Sequence, residues 1–317
     1  MLYNIKKSFA THHIHEDGHK IYFEEYGKKN GIPILFLHGG PGSGCNPSQR
    51  SLFNSEKFRI IFLDQRGSGK SIPKGSIINN TTQLIIEDIE RIREYLNISS
   101  WNIVGGSWGS TLAIAYAELY PTRINAMVLR SLFLATKEEI NWAFFQAPLT
   151  FRPELIYKIN VVLKNKVIIN PIKKLGEMLE AKNINKRCLA AELWLAYESN
   201  LSKIIYNEEN IEKIYNNKVF SKKRINGMPN TPFIEWHYIK NNFFLKNNSL
   251  LRNKSNIKNI PIAIVQSDYD LLCPPKVSYD FCEGLNKSKI FRVAKAGHYV
   301  SDPGVKEKMR ELIDKIF

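Results

Sequence analysis

Ser107 stands in Gly105-Gly106-Ser107-Trp108-Gly109, directly after the short apolar run Asn102–Val104 and before the small apolar stretch Thr111–Tyr120. G-x-S-x-G in that context predicts a sharp strand-to-helix turn that lifts a serine hydroxyl above a sheet. The helix start offers free backbone N–H groups and a positive dipole end, both suited to a developing oxyanion. His38-Gly39-Gly40-Pro41-Gly42 follows another apolar run, Pro33–Leu37. Its glycines let the backbone approach a substrate and aim an N–H at it. The expected donor pair is the N–H of Trp108 and that of Gly40. Serine is a poor nucleophile without a base held by a third group. In chains built around such a turn the order is serine, acid, histidine. Of the seven histidines only His298, in Ala296-Gly297-His298, lies beyond the last core runs, so it is the expected base. The acid should follow the run Ile260–Gln266, where Asp268 and Asp270 both stand. Two residues apart, they would share one side of an extended segment, so alternation does not choose between them.

Other chemistries fit less well. His15-Glu16-Asp17-Gly18-His19 matches H-E-x-x-H, but that pattern binds zinc only on a helix. Here Asp17-Gly18 reads as a turn with a strand at once behind it, so a polar N-terminal turn is expected and no metal. The formal charge of +15 (45 Lys and Arg, 30 Asp and Glu) could attract nucleic acid. However, +9 of it sits in residues 136–256, which also hold 19 of the 30 Asn. There is no block of five like charges, no zinc-finger spacing and no recognition-helix signature, so a nucleic-acid partner is not expected. No apolar stretch approaches the roughly 18–20 residues that cross a bilayer, and a membrane partner is not expected either. Four cysteines (Cys45, Cys188, Cys273, Cys282) make no disulfide framework, and the expectation is a reduced, cytoplasmic protein. Nothing in the sequence calls for a cofactor.

The elements that must position these groups alternate. Lys20–Tyr26, Pro33–Leu37, Phe58–Leu63, Asn102–Val104 and Ala126–Leu129 read as strands. Thr81–Leu96, with apolar residues at helical spacing, and Thr111–Tyr120 read as helices. Such alternation predicts an α/β chain with a mostly parallel sheet covered by helices. From Thr136 to Asn256 the periodicity is helical and the polar content rises. The strand–helix rhythm returns at Ile260–Gln266, Lys276–Leu285, Lys289–Val293 and Val305–Ile316. At 317 residues, with 44% hydrophobic and 24% charged residues, the chain can bury a sizeable core. The expected organisation is a core of 1–135 and 257–317 interrupted by a helical cap of 136–256.

Taken together, HGGPG at 38–42, Asp64-Gln65-Arg66-Gly67-Ser68-Gly69-Lys70-Ser71, GGSWGS at 105–110, Tyr269-Asp270-Leu271-Leu272-Cys273-Pro274 and Gly297-His298 resemble the proline iminopeptidases. These are α/β-hydrolase-fold serine peptidases that remove an N-terminal proline. The resemblance implies a Ser107-Asp270-His298 triad, because the family's acid lies three residues before the Cys-Pro pair. Asp268 stands where relatives often carry a basic residue. Trp194-Leu195-Ala196-Tyr197-Glu198 resembles the cap segment W-S-x-W-E, with Tyr197 for the second tryptophan. Ile234-Glu235-Trp236-His237-Tyr238 resembles I-E-N-H-Y-F. The matching glutamates imply that Glu198 and Glu235 bind the substrate's free amine. A prolyl ammonium has two N–H donors, and two carboxylates can each accept one. The implied partner is a peptide with a free N-terminal proline. Related esterases, amidases and broader aminopeptidases share the core motifs, and a catalytically silent binder of the same fold is the remaining alternative. Arg66 is expected to brace the loops under the site, and Cys273 to make the site thiol-sensitive. Phe133, Trp142, Phe144 and Phe145 could line a prolyl pocket or pack as cap core.

Overall fold

The computed structural model describes residues 2–205, 209–216 and 227–317. Thus 206–208 and 217–226, within the expected helical stretch, lie outside the described residues. Eight strands form one sheet in the order β1-β2-β4-β3-β5-β6-β7-β8. They are β1 (Ala10–Glu16), β2 (His19–Gly27), β3 (Ile32–Leu37), β4 (Phe58–Leu63), β5 (Trp101–Ser107), β6 (Ile124–Leu132), β7 (Ile262–Ser267) and β8 (Ser288–Val293). β1 pairs antiparallel with β2, and β2 with β4. Every other pairing is parallel.

β4 and β7 are apolar along nearly their whole length because both sheet faces are covered. Ile34, Phe36, Ile60, Phe62, Val104 and Val265 point to one face. Leu35, Leu37, Ile61, Leu63, Ile103 and Ile264 point to the other. α1 (Thr82–Tyr95) starts on Thr81, whose hydroxyl accepts the Leu84 N–H at 3.3 Å. α2 (Trp108–Leu119) is buried around nearly its whole circumference, which its small Ala113, Ala115 and Ala117 permit. Between β6 and β7 lie α3 (Lys137–Asn141), α4 (Ala147–Phe151), α5 (Pro153–Val162), α6 (Ile172–Leu179), α7 (Ile184–Ser202), α8 (Glu209–Asn216), α9 (Thr231–Lys240) and α10 (Ser249–Arg252). α11 (Pro275–Cys282) joins β7 to β8. α12 (Val305–Ile316) closes the chain, burying Val305, Met309, Leu312 and Ile313 at helical spacing.

The N-terminal segment has the expected Asp17-Gly18 turn with a strand at once behind it, and adds a strand ahead of it, β1, that carried no signal in the sequence. It is a β-hairpin whose two-residue turn, Asp17-Gly18, has φ of 51° and 85°. Positive φ at both positions is what a tight hairpin needs. β1 alternates only between partly buried and exposed residues, so its four-histidine neighbourhood carried no apolar period to read. His15 and His19 therefore sit on opposite strands rather than one helix face. His19 is buried, and its Nε2 lies 2.7 Å from the Ile78 carbonyl.

Candidate active site

β3, β5, β6, β7 and β8 are neighbours, and the loops at their carboxyl ends carry the residues singled out by sequence. In an open parallel sheet this is where ligands bind. Ser107 closes β5 and opens α2 with φ 54° and ψ −125°, a conformation side-chain-bearing residues rarely adopt. The turn is possible because its flanks are glycine. A Cβ on Gly105 would come within 2.5 Å of the Gly109 carbonyl oxygen, and one on Gly109 within 2.2 Å of the Leu37 oxygen. The Trp108 N–H stands at the first turn of α2, where no intrahelical acceptor exists. Gly40, at φ +110°, brings the neighbouring loop to the same cavity as Ser107.

Buried side chains lock these two loops together. His38 Nε2 accepts the Gln65 N–H at 3.1 Å, and Nδ1 lies 2.8 Å from the Gly39 oxygen. Burial lowers the His38 pKa despite the pull of Asp64. The Gln65 side chain donates to the His38 carbonyl at 2.9 Å and accepts from the Trp108 indole at 2.9 Å. The stretch 64–71 therefore serves as scaffold. Asp64 accepts the N–H groups of Cys45 (2.6 Å) and Lys70 (2.8 Å). Arg66, fully buried, grips Asp88 of α1 through two bonds of 2.6 and 2.7 Å and the Asn79 carbonyl at 2.6 Å. That is the bracing role expected of it.

The two aspartates after β7 separate cleanly. Asp268 faces outward and pairs with Arg292 at 2.8 and 2.9 Å. Asp270 is buried, and its oxygens lie 2.9 and 3.0 Å from His298 Nδ1. Its Oδ1 also accepts the N–H groups of Leu272 (3.1 Å) and Cys273 (2.9 Å). Burial alone would raise its pKa. The His298 charge and hydrogen bond, the Cys273 N–H and the Ser131 hydroxyl outweigh that and hold it below the usual aspartate value. Cys273 is buried between the two halves of the site. Its Sγ, an Asp270 oxygen and a His298 ring nitrogen lie within 4.8 Å of one another. Burial, then the charges of Asp270 and Glu139, push the thiol well up, and the Ser107 hydroxyl hydrogen-bonds against that rise. A thiol so protonated reacts slowly as a nucleophile, and its place is against the Ser107 hydroxyl.

One contributor escaped the sequence reading. Arg130 on β6 is partly buried and donates to the His298 carbonyl oxygen at 2.6 Å and to Ser131 Oγ at 2.9 Å. Burial lowers its pKa against the attraction of Asp270, Cys273 and Asp302. The signal was a lone arginine in the apolar strand AMVLRSLF. His298 is also tied by its N–H to the Ser202 carbonyl of α7 at 2.9 Å, and Gly297 N–H bonds Asp302 at 2.7 Å.

Ser107 opens into a cavity of about 50 Å³ whose wall includes Gly40, Phe133, Phe144, Glu198, Glu235 and Cys273. Burial raises the Glu198 pKa to about 7, against the pull of His298. Burial and then the Glu198 charge push Glu235 well above the ordinary value, although Trp194 Nε1 donates to it at 2.6 Å. Tyr197, fully buried, donates to the Phe144 carbonyl at 3.0 Å and so fixes that ring's backbone. Phe133 and Phe144 thus reach the site. Trp142 lines a separate cavity of about 410 Å³, and Phe145 packs against the hydrophobic cluster on the same side of the sheet as Leu35 and Ile61. Another cavity, about 440 Å³ beside Arg187 and Trp236, has no serine or cysteine in its wall.

The family model for the alpha/beta hydrolase fold matches residues 32–305. A proline iminopeptidase of Arabidopsis thaliana is 35% identical over 94% of this chain and 78% of its own length. One of Neisseria gonorrhoeae is 33% identical over 99% of this chain and 98% of its own. The chain belongs to the proline iminopeptidase family. Among solved structures, the proline iminopeptidase of Mycobacterium smegmatis superposes with a TM-score of 0.65, at 16% identity, covering 97% of each chain. At that identity the likeness concerns the fold, an α/β hydrolase. Among the described residues no helix is long and apolar enough to cross a membrane.

Proposed function

We propose that this member of the family is a serine aminopeptidase that releases N-terminal proline from peptides, with the helices of 136–256 acting as its cap. Ser107 attacks the prolyl carbonyl carbon while His298 takes its proton. The N–H groups of Trp108 and Gly40 hold the oxyanion. Asp270 keeps the His298 proton on Nδ1 and stabilises the imidazolium. His298 then protonates the departing amine, the prolyl ester remains on Ser107, and water activated by His298 frees proline. The names of the curated relatives support the same substrate.

The observation that carries this reading is the carboxyl pair beside the nucleophile. Glu198 and Glu235 share the Ser107 cavity, and burial and then the charge of Glu198 raise the cost of ionising Glu235. A neutral ester has no use for such a pair. A secondary ammonium does, because it supplies two N–H donors and offsets the charge. An internal proline, whose nitrogen is an amide, supplies neither. The test is turnover of Pro, Ala, Leu and N-blocked Pro reporters alongside a simple acetate ester. Glu235→Gln should cut kcat/KM for the Pro reporter by about 10²–10³, the loss of a buried pair worth roughly 3–5 kcal/mol. Acetate-ester cleavage should fall far less. Equal losses on both substrates would remove the amine clamp and leave a general esterase or amidase.

The same pair sets a pH dependence. Below pH 7 Glu198 carries a proton and offers the ammonium no charge. Above it the carboxylate is available. Inhibition by pyrrolidine, a secondary ammonium throughout this range, should therefore tighten from pH 6 to pH 8 by up to about tenfold. Binding at pH 6 should release a proton, read by calorimetry in buffers of different ionisation enthalpy. Glu198→Gln should flatten the slope; an unchanged slope would assign it to another group.

A further inference from the structure

A second cavity, of about 260 Å³, lies beside the Ser107 cavity, and Ile140, Ile239 and Phe243 line both. The two larger cavities share no lining residue with the Ser107 cavity. The rest of the second cavity's wall is amide-rich, with Asn141, Asn170 and Asn242, and its single charged residue is Lys137. Lys137 is exposed, and among the described residues no carboxylate pairs with it. The nearby Glu139 is committed to the N–H groups of Leu134 and Thr136, both at 2.9 Å.

Phe243, which lines both cavities, sits in strained backbone. Asn242, Phe243 and Phe244 have φ of 49°, 54° and 54°, a single left-handed turn built without glycine. L-residues avoid that conformation in succession, and it persists only where the surroundings impose it. Here the start of α1 imposes it: Thr82 Oγ1 donates to the Phe243 carbonyl at 2.5 Å and Gln83 Nε2 to the Phe244 carbonyl at 2.6 Å. The result is a Phe243 ring held 5.2 Å from Phe133 and 5.8 Å from Trp108, centroid to centroid, at the edge of the oxyanion site.

We propose that the second cavity receives the residues that follow proline, and that Lys137 binds the free C-terminal carboxylate of a short peptide there. This rests on the reading of the Ser107 site as a prolyl aminopeptidase. The substrate class is then a zwitterionic short peptide: its ammonium meets Glu198 and Glu235, its apolar side chain meets Ile140, Ile239 and Phe243, and its carboxylate meets Lys137. The asparagine amides can both donate to and accept from the intervening peptide groups.

The test compares kcat/KM for Pro-Ala and Pro-Ala-Ala as free acids and as C-terminal amides, in wild type, Lys137→Gln and Lys137→Glu. For an exposed ion pair, the wild type should favour at least one free acid over its amide by about fivefold at low salt. The preference should shrink as salt is added. It should fall to about one in Lys137→Gln and invert in Lys137→Glu. The same acid-to-amide ratio in all three proteins would overturn the carboxylate site while leaving prolyl release intact. A wild type that releases proline from none of the four peptides would overturn the parent reading, and this one with it.

Discussion

Ser107→Ala should lower kcat for a prolyl arylamide by about 10⁴–10⁶-fold and leave the melting temperature close to that of the wild type. The change removes one oxygen from a residue whose backbone, at φ 54°, is imposed by the glycines around it and is as strained for alanine as for serine. Packing is nearly untouched, because the hydroxyl opens into the small site cavity beside the Cys273 thiol. The residual rate should reflect the oxyanion donors and substrate binding alone. A serine-directed phosphonate should label the wild type once, at Ser107, and the variant not at all. A variant that keeps a hundredth of the activity, or takes up the label, would show that another group is the nucleophile.

Asp270→Asn should cost about 10⁴-fold in kcat at neutral pH, again with the fold retained. The argument comes from the bonds Asp270 already makes. Its Oδ1 accepts the Leu272 and Cys273 N–H groups, and an asparagine oxygen will stay with those two donors. The amide NH₂ must then face His298 Nδ1, which now has to accept. The proton moves to Nε2, and the ring can no longer take one from Ser107. Burial sharpens the effect, since Asp270 is 2% exposed and bulk water has little access to replace the lost acceptor. The imidazolium formed during reaction also loses its counter-charge. Turnover within tenfold of the wild type would mean that His298 does not rely on Asp270 for its tautomer. Ser107→Ala leaves Glu198 and Glu235 in place, so affinity for pyrrolidine should survive it.

What could be read in the sequence was what depends on short stretches of backbone. The turn at Ser107 needs glycine at fixed offsets, and β3, β4 and β7 are uniform apolar runs between clear punctuation. Where a residue's role depends on partners far along the chain, the letters were silent. Asp268 and Asp270 have the same parity along the strand, and residue types could not separate them. The family resemblance pointed to Asp270; in the structure Asp268 pairs with Arg292 while Asp270 is buried against His298. Arg130 was passed over because its partner is a main-chain oxygen 168 residues away. β1 was missed because a strand lying on the sheet's outer edge need not bury an apolar face. The left-handed turn at 242–244 carries no glycine, so nothing in its composition announces it.

One helix has two duties. On α7, Glu198 sits one turn ahead of Ser202, whose hydroxyl bonds back to the Glu198 carbonyl at 2.8 Å and whose own carbonyl receives the His298 N–H at 2.9 Å. Swinging α7 away from the sheet would withdraw Glu198 from the Ser107 cavity and unhitch the His298 loop in the same stroke. On the proposed reading this coupling would act as an interlock: a mouth opened wide enough to admit a large polypeptide would lose its ammonium partner and its positioned base together.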